Sequence, residues 1–152
     1  MEGDSASLAE LVAVLSDLAD LPVRQDVAIT GSVSQLGQAQ AIGGVQWKIE
    51  GYFRVCRAKP GGLTGSQGVI IPGANRVNLV LDDDVAAAIR DSRFHLWSVD
   101  SAEDALELLM GAPAGTADES GQYSAGSIYG RVAERLTGFD LILAKRRDQG
   151  SA

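Results

Sequence analysis

The sequence predicts an α/β fold with a mixed sheet packed by helices, on three observations. Apolar residues recur at offsets of three and four in residues 5–19 and 45–56, the spacing of one buried helical face. The run Val69-Ile70-Ile71-Pro72 is apolar throughout, as strands buried on both faces of a parallel sheet are. Strand-like and helix-like patterns alternate from there onward, the signature of βαβ units. At 152 residues, 45% hydrophobic and 22% charged, the chain suits one domain with a sizeable core.

Taken in order, Leu8, Leu11, Val12, Leu15, Leu18 and Ala19 form the first helical stripe, which Asp20-Leu21-Pro22 ends. Asp26 to Val33 is rich in β-branched residues and reads as a strand. Gln35 to Gln38 turns the chain into a second strand, Ala39 to Ile42, to make a hairpin. Gly43-Gly44 opens a helix whose stripe is Val45, Ile49, Tyr52, Phe53 and Cys56, and Pro60-Gly61-Gly62 closes it into a loop reaching Gly68.

After the apolar strand, Asp82-Asp83-Asp84 marks a helix start, because carboxylates favour the positive end of a helix dipole. Phe94 to Val99 is a further short strand. Ser101 and Asp104 then have the spacing of a capping box before the helix Ala105 to Met110. A polar, glycine-rich stretch from Gly111 to Gly126 precedes a last helix with Ile128, Val132, Leu136 and Phe139 on one side. Lys145 to Ala152 is expected to be disordered.

Composition narrows the function. A net charge of −7 argues against nucleic acid as a partner, and Lys145-Arg146-Arg147 is a solvating end rather than a phosphate-binding face. Cys56 is the sole cysteine, which fits a reducing, cytoplasmic setting. No signal peptide and no bilayer-spanning run is visible. No Gly-x-x-x-x-Gly-Lys-Ser/Thr sequence occurs, and Gly61 to Ser66 lacks the lysine of a phosphate-binding loop. His95, the single histidine, alternates with Phe94 and Leu96 and so faces away from them, which gives a Ser–His–Asp triad little basis. The three aspartates at 82–84 have no partner cluster at metal-ligand spacing.

Two short stretches carry chemistry. In Gly3-Asp4-Ser5-Ala6-Ser7 a serine sits where a loop meets a helix, near free backbone N–H groups suited to a developing oxyanion. On spacing alone Ser5 or Asp4 reads as an ordinary helix N-cap. In Ile42 to Gly51, Lys48 lies about 60° off the centre of the apolar stripe, taking about 100° per residue. Partial desolvation there would leave an amine able to take a serine proton. The alternative is a snorkelling lysine whose stem packs and whose ammonium reaches water. Trp47 falls on the polar side of the same helix, which marks a contact surface.

Read together and in order, these stretches resemble the proteolytic domain of the Lon family of ATP-dependent proteases, nearest its Lon-B-like bacterial branch. The carrying residues are Glu2-Gly3-Asp4-Ser5-Ala6-Ser7, Ile29-Thr30-Gly31-Ser32-Val33, Ile42-Gly43-Gly44-Val45 and Lys48-Ile49-Glu50-Gly51. Gly68 to Pro72 and Phe94 to Val99 resemble later strands of that domain. The resemblance covers residues 2–138, the proteolytic domain, and leaves 139–152 as a C-terminal tail. Gln46-Trp47 departs from the pattern, since relatives carry a polar and an acidic residue there. The family has further strands before the nucleophile, so the chain is expected to be truncated at its N-terminus.

The resemblance implies a compact Lon-type proteolytic domain that hydrolyses peptide bonds of unfolded or damaged proteins. Ser5 would be the nucleophile and Lys48 the general base, with Thr30 holding Lys48 or Ser5 through its hydroxyl and Glu2 an acidic neighbour of the nucleophile. It implies no metal or cofactor in this chain, ATP and Mg being expected on a separate or upstream ATPase region. It also implies a homo-oligomer, hexameric in the full-length family, with unfolded proteins or peptides as substrates. A truncated, non-catalytic module that only oligomerises or binds peptides is the alternative.

Overall fold

The structure, a computed structural model, describes residues 3–149. Three parallel strands form the central sheet in the order β1 (Val27–Ile29), β4 (Gly68–Pro72), β5 (His95–Val99). Helix α2 (Val45–Ala58) lies in the connection from β1 to β4, and α3 (Asp83–Arg90) in that from β4 to β5. A short hairpin, β2 (Ser32–Val33) with β3 (Ala39–Gln40), forms a second sheet, bonded to the chain that leaves β5 through the Ala39 N–H and the Asp100 carbonyl at 2.9 Å. The parallel and antiparallel pairings expected of one mixed sheet are thus divided between two. Helices α1 (Ser7–Ala19), α4 (Ala102–Met110) and α5 (Ile128–Gln149) complete the α/β fold.

The central strand explains the layering. Its residues alternate in direction, as a period of two requires. Val69 and Ile71 enter one core with Val45, Ile49, Phe53 and Cys56 of α2, Val85 and Ala88 of α3, and Phe94. Ile70 enters the other with Leu8 and Val12 of α1, Leu106 and Leu109 of α4, and Ile128 and Val132 of α5. The sheet is therefore the middle of three layers, and every residue of β4 is buried. Gly68 is required at the start of β4: a Cβ there would run into the backbone carbonyl of His95 and come within 2.6 Å of the Trp97 ring.

Local signals held at most ends. The capping box at α4 is formed: the Ser101 hydroxyl accepts from the Asp104 N–H, and the Asp104 carboxylate accepts from the Ser101 N–H, each at 3.1 Å. Residues 111–126 form an ordered loop, in which Ala117 pairs with Tyr123 around a turn held by the Asp118 carboxylate. His95 and Trp97 face the same side of β5, stacked at 5.3 Å, away from buried Phe94.

The C-terminal end differs from expectation. Helix α5 runs unbroken past residue 138 and through the segment expected to be disordered, as far as Gln149. Only its first half is anchored. Ile128 and Val132 are buried, while Leu136, Phe139, Leu141, Ile142 and Leu143 stay substantially exposed. A favourable helical sequence continues the helix after tertiary packing stops. No helix among the described residues is long and apolar enough to cross a membrane.

Candidate active site

The long β-rich stretch 26–33 is broken at Thr30-Gly31, and the break builds the site. Thr30 still donates its N–H to Ile70 of the central strand at 3.1 Å. Gly31 then turns to the other side and bonds twice to the turn before α1: its N–H donates to the Ser5 carbonyl at 3.0 Å, and its carbonyl accepts from the Leu8 N–H at 3.2 Å. A Cβ on Gly31 would lie 3.0 Å from Pro72 Cγ and 3.1 Å from Leu8 Cδ2, so glycine lets this backbone press onto both. The nucleophile's turn is thereby tied to the end of β1.

Side chains reinforce the tie. The Thr30 hydroxyl donates to the Ser5 carbonyl at 3.2 Å. The Ser32 hydroxyl donates to the Asp4 carboxylate at 2.6 Å, and the Ser7 hydroxyl accepts from the Val33 N–H at 3.0 Å. Ser5 is not a helix cap: the N-cap of α1 is Ala6, and no side chain caps it. The Ser5 hydroxyl is therefore released from the role that spacing left open.

Lys48 comes from the first turn of α2, across 43 positions of sequence. Its Nζ donates to Ser5 Oγ at 2.8 Å and to Thr30 Oγ1 at 3.2 Å. The structure thus brings together Ser5, Lys48 and Thr30. Lys48 is exposed, as the snorkelling alternative has it. Trp47 is 72% exposed and lies over Gly44, whose Cβ position would be 3.0 Å from the indole. Glu2 lies outside the described residues.

The other polar features lie elsewhere. His95 Nε2 is 2.7 Å from the Gly65 carbonyl and bridges the 61–66 loop to β5, far in the fold from the serine turn. That loop leads from α2 into β4, the reverse of the strand–loop–helix order in which backbone N–H groups cradle a phosphate, so it does not fit a nucleotide. Asp82 and Asp84 pair with Arg54 and Arg57 at 3.0 and 2.8 Å, and the buried Glu50 accepts the Asp82 N–H. Hydrogen bonding from Arg24 holds the Asp26 carboxyl below the usual carboxylate range, and Arg24 also packs over Trp97.

Sequence reasoning missed Ser32, Ser7 and Gly31 as organisers of the nucleophile's turn. The only available signal was the density of small hydroxyl residues on both sides of Thr30-Gly31.

Comparisons with known proteins give the family. Residues 1–112 match the Lon protease (S16) C-terminal proteolytic domain. The chain is 52% identical over 110 residues, 72% of its length, to a putative Lon protease homolog of Escherichia coli (strain K12), of which it covers 18%. It is 48% identical over 111 residues, 73% of its length, to a putative Lon protease homolog of Haemophilus influenzae, again covering 18% of that protein. An archaeal Lon protease of Thermococcus kodakarensis is 37% identical over 110 residues, 72% of this chain and 15% of the relative. The chain spans less than a fifth of the length of each. It belongs to the Lon protease (S16) proteolytic domain family, a family of peptidases.

Proposed function

We propose that the chain is the serine endopeptidase domain of an ATP-dependent protease, cleaving unfolded or damaged proteins through a Ser5–Lys48 dyad. The observation that carries this reading is the 2.8 Å approach of Lys48 Nζ to Ser5 Oγ. Thr30 fixes the direction of proton flow. It has one hydroxyl proton, which is committed to the Ser5 carbonyl, so towards Lys48 it can only accept. A neutral amine that donates to Thr30 turns its lone pair to the Ser5 hydroxyl, the geometry of a general base.

Ser5 Oγ attacks the scissile carbonyl carbon while its proton passes to Lys48. The oxyanion that forms is met by backbone N–H groups at the start of α1, where the first turn of a helix has no intrahelical acceptor for them. As the C–N bond breaks, Lys48 returns the proton to the leaving amine and an acyl-serine remains. Water then attacks the ester, gives its proton to Lys48, and Ser5 Oγ leaves with it. A bound substrate covering the exposed Lys48 would displace water from the dyad. Nucleotide use belongs to a separate or upstream ATPase region, and assembly into a homo-oligomeric ring would enclose the exposed dyad.

Hydrolysis of casein or a fluorogenic peptide tests the dyad. Cleavage is expected to vanish in Ser5→Ala and Lys48→Ala and to persist in His95→Ala. Cleavage that survives either of the first two overturns the assignment. Peptide binding without turnover in any oligomeric state supports the non-catalytic module instead.

A further inference from the structure

Lys48 is useful only where the start of α2 puts it, yet that start has few constraints of its own. Its N-cap is Gly44, left-handed at φ +66°, with no side-chain cap. Gly43 precedes it, so two glycines with wide conformational freedom separate the helix from the hairpin. The bond from the Lys48 N–H to the Gly44 carbonyl is long, at 3.4 Å. Left to its own sequence, this turn would fray.

We infer that Asn75 is a positioning residue for Lys48, acting as a clamp on the peptide just before the glycine pair. Its side-chain amide grips both backbone groups of Ile42: Oδ1 accepts the Ile42 N–H at 3.1 Å and Nδ2 donates to the Ile42 carbonyl at 2.9 Å. Both ends of the amide are used, which fixes its orientation and leaves neither group of Ile42 unpaired. The clamp has a rigid base. Asn75 lies in the 3₁₀ helix Gly73–Arg76, which directly follows the wholly buried strand β4. Gly73 sits so close to the Asp100 carboxylate that a side chain there would collide with it, so the base is held from β5 as well. Pro72, the last residue of β4, meets Gly31 on the nucleophile's side. One strand end therefore references both halves of the pair, the serine turn through Pro72 and Gly31, the lysine turn through Asn75 and Ile42.

This inference rests on the Ser5–Lys48 reading, and the test keeps the two separable. Asn75→Ala removes both bonds. Asn75→Asp keeps the volume and the acceptor but sets a carboxylate oxygen against the Ile42 carbonyl. Two quantities are measured in the full chain: amide hydrogen exchange at 42, 48 and 49 against 53–58, and the rate at which a β-lactone acylates Ser5. Val132→Ala, in the distant α5, serves as a stability control. Both Asn75 variants are expected to speed exchange at 42, 48 and 49 at least tenfold with 53–58 unchanged. They are also expected to slow acylation at least tenfold beyond the control, Asn75→Asp no less than Asn75→Ala. Unchanged exchange at 42, 48 and 49 overturns the clamp, and so does acylation at the control's rate. If the parent's Ser5 is not acylated, or Lys48→Ala acylates normally, the dyad fails, while exchange still decides whether Asn75 orders the turn.

Discussion

Thr30→Val separates the structural from the chemical part of this site. Valine fills the same volume, so no cavity forms around a residue that is only 8% exposed. The Ser5 carbonyl loses the Thr30 hydroxyl but keeps the Gly31 N–H, and Lys48, being exposed, finds water. The stability cost is then that of one ordinary hydrogen bond, about 1 kcal/mol. For a domain of this size that lowers Tm by about 2–4 °C. The rate should suffer far more. Without Thr30 nothing fixes which way the Lys48 amine presents its lone pair, and a misplacement of about 1 Å costs about 100-fold, or ~2.7 kcal/mol in the barrier. Peptide hydrolysis should show kcat reduced about 100-fold with KM within twofold, and Thr30→Ser should restore most of it. A kcat within twofold of the parent in Thr30→Val, alongside a dead Lys48→Ala, would refute the orienting role.

Three further outcomes follow from the fold. Gly68→Ala should destabilise by about 3 kcal/mol or more, because the central strand cannot shift away from the His95 carbonyl; thermal unfolding measures it. Asp26 has its pKa lowered in the folded state by the hydrogen bond from Arg24, so its contribution is present above the unfolded carboxylate range and is lost as pH falls through the folded value. Urea midpoints measured from pH 6 down to pH 2 should therefore fall less steeply in Arg24→Ala than in the parent. Removing residues 141–149 should leave Tm within about 2 °C, since residues 141–147 are exposed and surface changes cost little; a larger drop would show that the second half of α5 packs.

What could be read from the sequence depended on whether the signal was local. The capping box of Ser101 and Asp104, the buried character of Val69-Ile70-Ile71-Pro72 and the stripe of α2 are short-range patterns, and each recurs in the structure. The stretch Asp26–Val33 was legible as extended but not as two strands, because the pivot at Thr30-Gly31 depends on Pro72 and Leu8 packing against the glycine. For the same reason helical periodicity located Lys48 on its wheel but left desolvation and snorkelling both open, since its exposure depends on what lies above that turn. Asn75 gave no sequence signal at all. Its function is a side-chain grip on a backbone 33 positions away, and no periodicity records that.

The site's location follows from the direction of the strands. In a parallel sheet all carboxyl ends lie on one edge, and that is where loops can converge without disturbing the ladder. Thr30 and Gly31 follow β1, Asn75 follows β4, and Asp100 follows β5. The pairing Ile29↔Ile70 and Ile70↔Trp97 fixes these ends relative to one another through the most buried strand of the molecule. Ser5 and Lys48 are themselves on looser ground, one in a turn and one on an exposed helical face. Their 2.8 Å separation is maintained because each is bonded to a group that the sheet holds: Ser5 to Thr30 and Gly31, the α2 turn to Asn75 through Ile42. A perturbation of the sheet edge should therefore reach catalysis before it reaches global stability, whereas an equal loss of packing under α4 should do the reverse. Leu106→Ala makes that second case: it should cost about 2–5 kcal/mol of stability while leaving kcat of the folded fraction within about twofold. A matched loss of kcat in Leu106→Ala would mean that the dyad is held by the whole core and not by the ends of the strands.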